Sequence, residues 1–395
     1  MAPLPSPAMT VPLKLLVSAG EVSGDQHAAA LLAALGRRLP GLSALGIGGD
    51  GCASLGVRLL AHQRDLAVVG LVEALGKIRL ARRLIRDLVA AAVSEGVEAG
   101  LLVDAPDFNL PLARKLYRAG IPVVFYVSPQ VWAWRPRRAA TIARIGRRLL
   151  VLFEFEKGWY DRRGLGARVV WVGHPLVDRA AEELAGPAAP APAGGRRLVL
   201  MPGSRDGEVR RLLPLMRDAV AILRRDHADL QVALVRADSV SATLLREVAG
   251  PALDGWTVVS GEHLALLAAS DVLVVASGTA TVEGLLAGLP MVVVYRVNRI
   301  TYALGHLLVK VKHVAMANIV SDDGSGVRAV PELIQDDATP ARIAAEAALF
   351  LDDPRRAAES RQRLAAGRRR LGPPGAAARA AEALLAALGR SGGAS

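Results

Sequence analysis

The chain is short of cysteine, aromatic side chains, acidic charge and long apolar runs, and each shortage removes a class of function. Cys52 is the single cysteine in 395 residues, which excludes an internal disulfide and any cysteine-rich metal site. Aromatic residues amount to 4% and do not alternate with basic ones, so a surface that stacks nucleic-acid bases is not expected. Although 52% of the residues are hydrophobic, no apolar run reaches the ~18 residues that a membrane-crossing helix needs. Residues 1–12 are rich in proline and carry neither a basic cluster nor a cleavage site. They read as no signal peptide, and a cytoplasmic protein is expected. Against 49 Lys and Arg there are 37 Asp and Glu, a formal net charge of +12. Such a balance asks for an anionic partner: nucleic acid, anionic lipid or a phosphorylated substrate. The lack of aromatics speaks against the first.

What is present is a repeated alternation of short apolar runs and helical spacing. In the first half the runs are 13–18, 42–47, 99–103, 121–127, 149–153 and 169–172. In the second they are 198–201, 230–235, 257–259, 272–275 and 291–295. Runs this short and this apolar, separated by helices, predict parallel strands buried on both faces. The length exceeds one ordinary core and predicts two domains of about 190 residues each. Gly186-Pro-Ala-Ala-Pro-Ala-Pro-Ala-Gly-Gly195 reads as an exposed, semi-rigid connection between them. The boundaries expected are 13–185, a linker at 186–195, 196–372, and a helical tail at 373–395. Two Rossmann-like sheets on a Pro/Gly linker describe a cleft enzyme, one domain for a nucleotide and one for a second substrate.

Two turns organise the second half. Met201-Pro-Gly-Ser-Arg205 and Ala276-Ser-Gly-Thr-Ala-Thr-Val-Glu283 each follow a strand and open a helix. Such a turn presents backbone N–H groups at the positive end of a helix dipole, and two of them with an arginine suit a diphosphate. Gly203, Ser204, Arg205, Ser277, Gly278 and Thr279 are the candidates, although a tight turn alone would also favour Gly and Ser. Glu283, in the first helical turn, is placed to hold ribose hydroxyls or simply to complement the dipole. The acidic pairs 322–323, 336–337 and 352–353 do not end apolar strands, so neither a metal site nor a cofactor is predicted.

In the first half, Asp104-Ala-Pro-Asp-Phe-Asn109 follows a strand. A carboxylate there, beside Pro106 and Phe108, is expected to be partly desolvated and so to serve as a base. One of the pair, Asp104 more than Asp107, is expected to cap a helix beginning near Asn109. His27 and His174 are rival bases, each equally explained as a structural histidine. Over residues 66–88, Val68, Leu71, Leu75 and Ile78 form one helical stripe, with Val69 and Val72 adjoining. Arg79, Arg82, Arg83 and Arg86 form another. This pattern fits a helix in a membrane interface and also a helix packed on a sheet with a solvated arginine face.

Taken together, eight stretches in order, over about residues 15–335, resemble the lipid-A-disaccharide synthase family. They are Ala19-Gly-Glu-Val-Ser-Gly-Asp25, Ala67-Val-Val-Gly-Leu-Val-Glu73, Asp104-Ala-Pro-Asp-Phe-Asn109 and Ser128-Pro-Gln-Val-Trp-Ala-Trp134. Val172-Gly-His-Pro-Leu176, Met201-Pro-Gly-Ser-Arg205, Ala276-Ser-Gly-Thr-Ala-Thr281 and Pro331-Glu-Leu-Ile-Gln335 complete them. The resemblance implies an α/β fold of two Rossmann-like domains whose parallel sheets face a cleft (GT-B type). It implies an inverting hexosyltransferase that moves 2,3-diacylglucosamine from its UDP derivative to the 6-hydroxyl of 2,3-diacylglucosamine 1-phosphate (lipid X), releasing UDP. Asp107 would be the base, Arg205 and the amides near Ser277–Thr279 would take the diphosphate, and Asn318 would line the donor site. Ser23, Gly24, Asp25 and Gln130 would line the acceptor side. The acyl chains give residues 66–88 a purpose at the inner-membrane surface, and a homodimer stays open. The chain departs from the family in Phe153-Glu-Phe-Glu156 for Phe-Pro-Phe-Glu, in Met316-Ala-Asn318 for Leu-Pro-Asn, and in a longer 321–326 loop. Two other readings stay open from the residues alone: another UDP-sugar enzyme, such as a UDP-N-acetylglucosamine transferase or 2-epimerase, and a non-catalytic nucleotide-binding regulator.

Overall fold

The structure, a computed structural model, describes residues 12–66, 73–134, 136–186, 195–298 and 312–390. The chain divides into two compact units, Met1–Pro175 with Gly375–Ser395, and Leu176–Pro374. This differs from the expected boundaries at two points. The helix after Pro175 belongs to the second unit rather than the first, and the tail is not an appendage but part of the first. Residues 187–194 of the expected linker lie outside the described residues.

The first unit is a parallel sheet of β1 (Lys14–Ala19), β2 (Ser43–Gly48), β3 (Arg58–His62), β4 (Ala99–Val103), β5 (Val123–Tyr126), β6 (Gly146–Val151) and β7 (Val169–Trp171). Its order is β3-β2-β1-β4-β5-β6-β7, all neighbours parallel. The helices between are α1 (Val22–Arg38), α2 (Asp50–Ser54), α3 (Glu73–Ser94), α4 (Pro106–Arg118), α5 (Val131–Trp134), α6 (Ala139–Ile145) and α7 (Glu154–Asp161). The inner strands are apolar on both sides because helices cover both faces: Leu15, Leu16, Val17, Leu101, Leu102 and Val103 are all fully buried. The β1–β2 contact depends on a glycine. Gly46 sits at φ +144°, and a Cβ there would lie 1.9 Å from the Val17 carbonyl oxygen. The sheet has one strand more than the six expected, β3, in which Arg58 and Leu60 are exposed and which lacks the continuous apolar run that marks the others.

The second unit opens with α8 (Leu176–Ala185) and builds its sheet from β8 (Arg197–Met201), β9 (Gln231–Arg236), β10 (Thr257–Ser260), β11 (Val272–Ala276), β12 (Met291–Tyr295) and β13 (Glu332–Ile334). The order is β10-β9-β8-β11-β12-β13, again parallel throughout. Its further helices are α9 (Asp206–Leu223), α10 (Ala242–Ala249), α11 (Leu264–Ala268), α12 (Ala280–Ala287), α13 (Met316–Ser321), α14 (Pro340–Asp352) and α15 (Pro354–Arg369). The strand missed in the sequence is β13, three residues long. The last helix, α16 (Ala376–Ala387), returns to the first unit, where Ala380, Ala381, Leu384 and Leu385 are buried.

Both sheets therefore reverse their winding once, between β1 and β4 in the first unit and between β8 and β11 in the second. In open α/β sheets the crevice at such a switch point, outside the carboxyl ends of the strands, is where ligands bind. The α/β fold of two Rossmann-like units expected from the strand pattern is the one observed. No helix among the described residues is long and apolar enough to cross a membrane.

Candidate active site

At the first unit's switch point, β4 ends in a backbone that few residues tolerate. Asp104 and Ala105 both adopt left-handed conformations, φ +48° and +43°. Asn109 holds them there. Fully buried, its Nδ2 lies 2.7 Å from the Asp104 carbonyl, 3.0 Å from that of Val103 and 3.3 Å from that of Ser18, while its Oδ1 accepts from the Ser18 hydroxyl at 2.7 Å. One amide thus ties β1, β4 and the turn together. Pro106 then takes the first helical position, where its missing N–H costs nothing. This corrects two expectations. The helix begins at Pro106 rather than near Asn109, and its N-cap position is taken by Ala105 rather than by either aspartate. The turn also rotates Asp107 outward. Its side chain is 77% exposed, with Arg138 Nη1 3.6 Å from Oδ1, so Asp107 is not the desolvated carboxylate that its apolar neighbours in the sequence suggested.

His27 and His174 are the opposite case. Their rings meet edge to face at 5.8 Å, with Tyr126 and Phe153 around them. Burial lowers His27 to about 4, and burial with the neighbouring His27 lowers His174 well below the usual histidine range. Both are sealed, neutral imidazoles. Asp25 is structural too. Buried, its Oδ1 accepts from Gly49 N at 2.7 Å and Cys52 N at 3.1 Å, and its Oδ2 from Gly51 N at 2.9 Å. It anchors the β2–α2 turn instead of lining an acceptor site, while Gly24 is buried, Ser23 half-buried and Gln130 exposed. Glu156, not singled out in the sequence, is a buried carboxyl that accepts from Trp132 Nε1 and from the amides of Leu152 and Phe153. Only its place as the last residue of Phe153-Glu-Phe-Glu156 signalled it.

At the second unit's switch point the two glycine turns come together on adjacent parallel strands, so both open at the same sheet edge. Gly203 has φ +117° and is packed so closely that a Cβ would meet the Glu208 carboxylate at 2.5 Å. That carboxylate accepts from Ser204 N at 3.1 Å and pairs with Arg205 Nη1 at 3.0 Å. Across from it, Gly278 has φ +147° and Thr279 is the N-cap of α12. Ser277 spends its hydroxyl on the Val314 carbonyl at 3.2 Å. Ser204, Arg205, Gly278 and Thr279 are exposed, and Gly203 and Ser277 half-buried.

Glu283 is more constrained than expected. It is buried, with Arg179 Nη1 3.4 Å from one oxygen and His263 Nε2 3.3 Å from the other. Burial works to lower the His263 pKa, but the Glu283 carboxylate outweighs it and the net shift is upward. Glu183 completes the cluster, pairing with Arg179 at 2.5 Å and accepting from the amides of His263 and Leu264. Sequence reasoning missed Arg179 and Glu183 because they lie about 100 residues from Glu283, on α8, and His263 because it sits in the loop before α11. Asn318 needs a correction. Buried, it donates to the Val330 carbonyl at 2.9 Å and to Glu332 Oε1 at 2.8 Å, and accepts from Val330 N at 3.0 Å. Its amide is consumed in tying α13 to the approach of β13, so it shapes the site rather than contacting a donor.

Residues 67–72, with Val68, Val69, Leu71 and Val72, lie outside the described residues, as does the side chain of Leu75. From Ile78 onward the stripe is visible: Ile78 is exposed, as are Arg79, Arg82, Arg83 and Arg86. Among the described residues no group of three or more His, Cys, Asp or Glu gathers as a metal site.

The chain matches the family model described as lipid-A-disaccharide synthetase over residues 15–386, a span that reaches into the tail. It is 42% identical over 392 residues to the lipid-A-disaccharide synthase of Myxococcus xanthus, covering 96% of this chain and 99% of that one. Among solved structures it is similar in fold to the calicheamicin glycosyltransferase (TM-score 0.59, 16% identity, 96% and 99% of the two chains covered). It is also similar in fold to the UDP-GlcNAc 2-epimerase of Neisseria meningitidis (TM-score 0.59, 10% identity, 95% and 98% covered). With a switch point in each sheet and a match along nearly its whole length, the chain belongs to the lipid-A-disaccharide synthase family of glycosyltransferases.

Proposed function

We propose that the chain transfers 2,3-diacylglucosamine from UDP-2,3-diacylglucosamine to the 6-hydroxyl of lipid X with inversion at the anomeric carbon. The second unit holds UDP. The amides of Gly278 and Thr279 and the Arg205 guanidinium receive the diphosphate, and Glu283, oriented by Arg179 and His263, takes the ribose hydroxyls. Two of its acceptor positions are already used, and a carboxylate offers about four. The first unit supplies the base. As the acceptor oxygen forms its bond to the anomeric carbon, its proton passes to Asp107. The bond from that carbon to the diphosphate breaks with its electron pair, and the growing negative charge is met by fixed amide dipoles and arginine.

One observation carries this choice of base. Asp107 is exposed at the first switch point, whereas its rivals His27 and His174 are buried. The test is UDP release from the diacylated donor, with and without lipid X. Turnover should require lipid X and fall by about 10²–10⁴-fold in Asp107→Asn. Retained turnover in the variant would remove the base, and indifference to lipid X would remove the acceptor. The exposed arginine stripe of α3 supports association with an anionic membrane surface. Vesicles containing anionic lipid should retain the protein at low salt and release it when Arg79, Arg82, Arg83 and Arg86 are replaced by glutamine.

A further inference from the structure

Beside the strained turn at Asp104 lies a second one that the proposed chemistry does not use. Val127, directly after β5, has φ +54°, a conformation that β-branched side chains strongly resist. Strain of this kind persists only where surrounding groups over-determine it. At Asp104 the restraining group is Asn109. At Val127 the chain continues through Ser128-Pro-Gln-Val into α5, with Ser128 N donating to the Leu150 carbonyl at 3.3 Å. Glu156 supplies a side-chain restraint on this segment.

Glu156 joins two elements. Its Oε2 accepts from the amides of Leu152 at 3.2 Å and Phe153 at 3.1 Å, closing the N-terminus of α7. Its Oε1 accepts from Trp132 Nε1 of α5 at 3.1 Å. The Trp132 ring stands edge-on to Phe155 at 5.0 Å, and Phe155 stacks on Phe153 at 5.5 Å. The carboxyl is 4% exposed, and the buried hydroxyls of Ser128 and Tyr160 lie in the same region. A helix cap alone is ordinarily made by a short polar side chain at the surface. A buried carboxyl shared between a cap and an indole from another loop does more. It fixes the end of β5 to the end of β6, the sheet edge that also bears Asp107 and the exposed Gln130.

We propose that Glu156 is a positioning residue for the sugar transfer, holding the 127–134 loop in its strained, acceptor-ready form through Trp132 without itself touching substrate. The inference rests on the transferase reading above. Glu156→Gln separates its two roles. The amide oxygen can still accept from Leu152 and Phe153, but the amide nitrogen then faces the indole N–H, donor against donor. The cap survives and the loop tether is lost. Trp132→Phe removes the same bond from the other side and keeps the aromatic packing.

Three readouts distinguish positioning from bulk stability. In both variants kcat should fall roughly 10- to 100-fold, the scale of a misplacement of about 1 Å, with UDP affinity unchanged because the second unit is untouched. The double variant should be no worse than either single one, since both cut one bond. Amide exchange over residues 127–134 should accelerate while that over α4 does not. Unchanged kcat in both folded variants, additive losses, or unaltered exchange over 127–134 would each overturn the proposal. If Glu156→Gln does not fold, Trp132→Phe decides by the same measures. Exchange needs no substrate, so a wild type without transferase activity would sink the transferase reading while leaving the tether tested.

Discussion

The cluster around Glu283 shows how a buried carboxylate is paired and oriented. Removing Glu283 from water would be costly without its two cationic neighbours, and breaking such a cluster from one side leaves a charge stranded. His263 is the member whose pKa the pairing raises. Its folded pKa is raised, so its contribution is fully present below its ordinary value of 6.5 and is lost as pH climbs through the raised folded value. If Glu283 receives ribose, UDP affinity follows that loss. The dissociation constant for UDP should rise roughly 5-fold between pH 6.5 and 9, on the order of 1 kcal/mol for a partly screened pair. In His263→Asn the curve should be flat and weak throughout. Titration calorimetry across that range decides the matter, and parallel curves for the two proteins would separate His263 from the donor site.

Among the elements, α16 is the one whose place the sequence left open. Its alanines and leucines predict a helix, but nothing in its own spacing says which core it joins, because that partnership is set some 200–350 residues away. The structure seats it in the first unit. Arg379 Nε donates to the Val172 carbonyl at 2.9 Å, Arg147 Nε to the Ala387 carbonyl at 3.0 Å, and Arg390 pairs with Glu98 at 2.5 Å. Ending the chain at Pro374 should therefore destabilise the first unit by roughly 5 kcal/mol, the burial of two leucines and several alanines, and spare the second. Limited proteolysis would show it: fragments from residues 12–175 should be lost while 195–298 persists, and equal resistance of both units would refute the assignment. The strands and the two glycine turns were legible for the opposite reason. A doubly covered parallel strand is a continuous apolar run, and a strand-to-helix turn needs residues such as Gly203 and Gly278 that accept positive φ. Asp107 was legible as a position but not as an environment, since its exposure follows from Asn109 turning inward two residues later. Asn318 and Asp25 were read as ligand contacts because polar residues in such motifs serve either purpose. Only their partners show that they are spent within the fold.

At the level of the whole molecule, acid and nucleotide should act on different halves. His27 at about 4, His174 well below the usual histidine range and Glu156 at about 7 all lie in the first unit. A buried neutral histidine contributes stability that is complete above 6.5 and drains away as pH falls toward its folded value, about 3 kcal/mol for His27. Glu156 runs the other way. Burial, against the three hydrogen bonds it accepts, raises its folded value above the ordinary 4.5. Its contribution is complete below 4.5 and drains as pH rises to about 7, a change of similar size. Between pH 6.5 and 4.5 two histidines lose stability while one carboxyl gains it, so Glu156 offsets about half of the loss, and below 4.5 it has nothing further to give. The first unit should decline gently over that range, with the slope of one proton rather than two. In Glu156→Gln the decline from about 6.5 should be about twice as steep. UDP, bound by the second unit, should add ~2.7 kcal/mol there at a hundredfold excess over its dissociation constant and leave the acid limb of the first unit in place. Amide exchange followed separately over β4 and β11 across pH 4–7 tests both halves of the argument. An acid decline shared equally by the two strands, or UDP protection of β4 as strong as that of β11, would show that the two units do not respond independently.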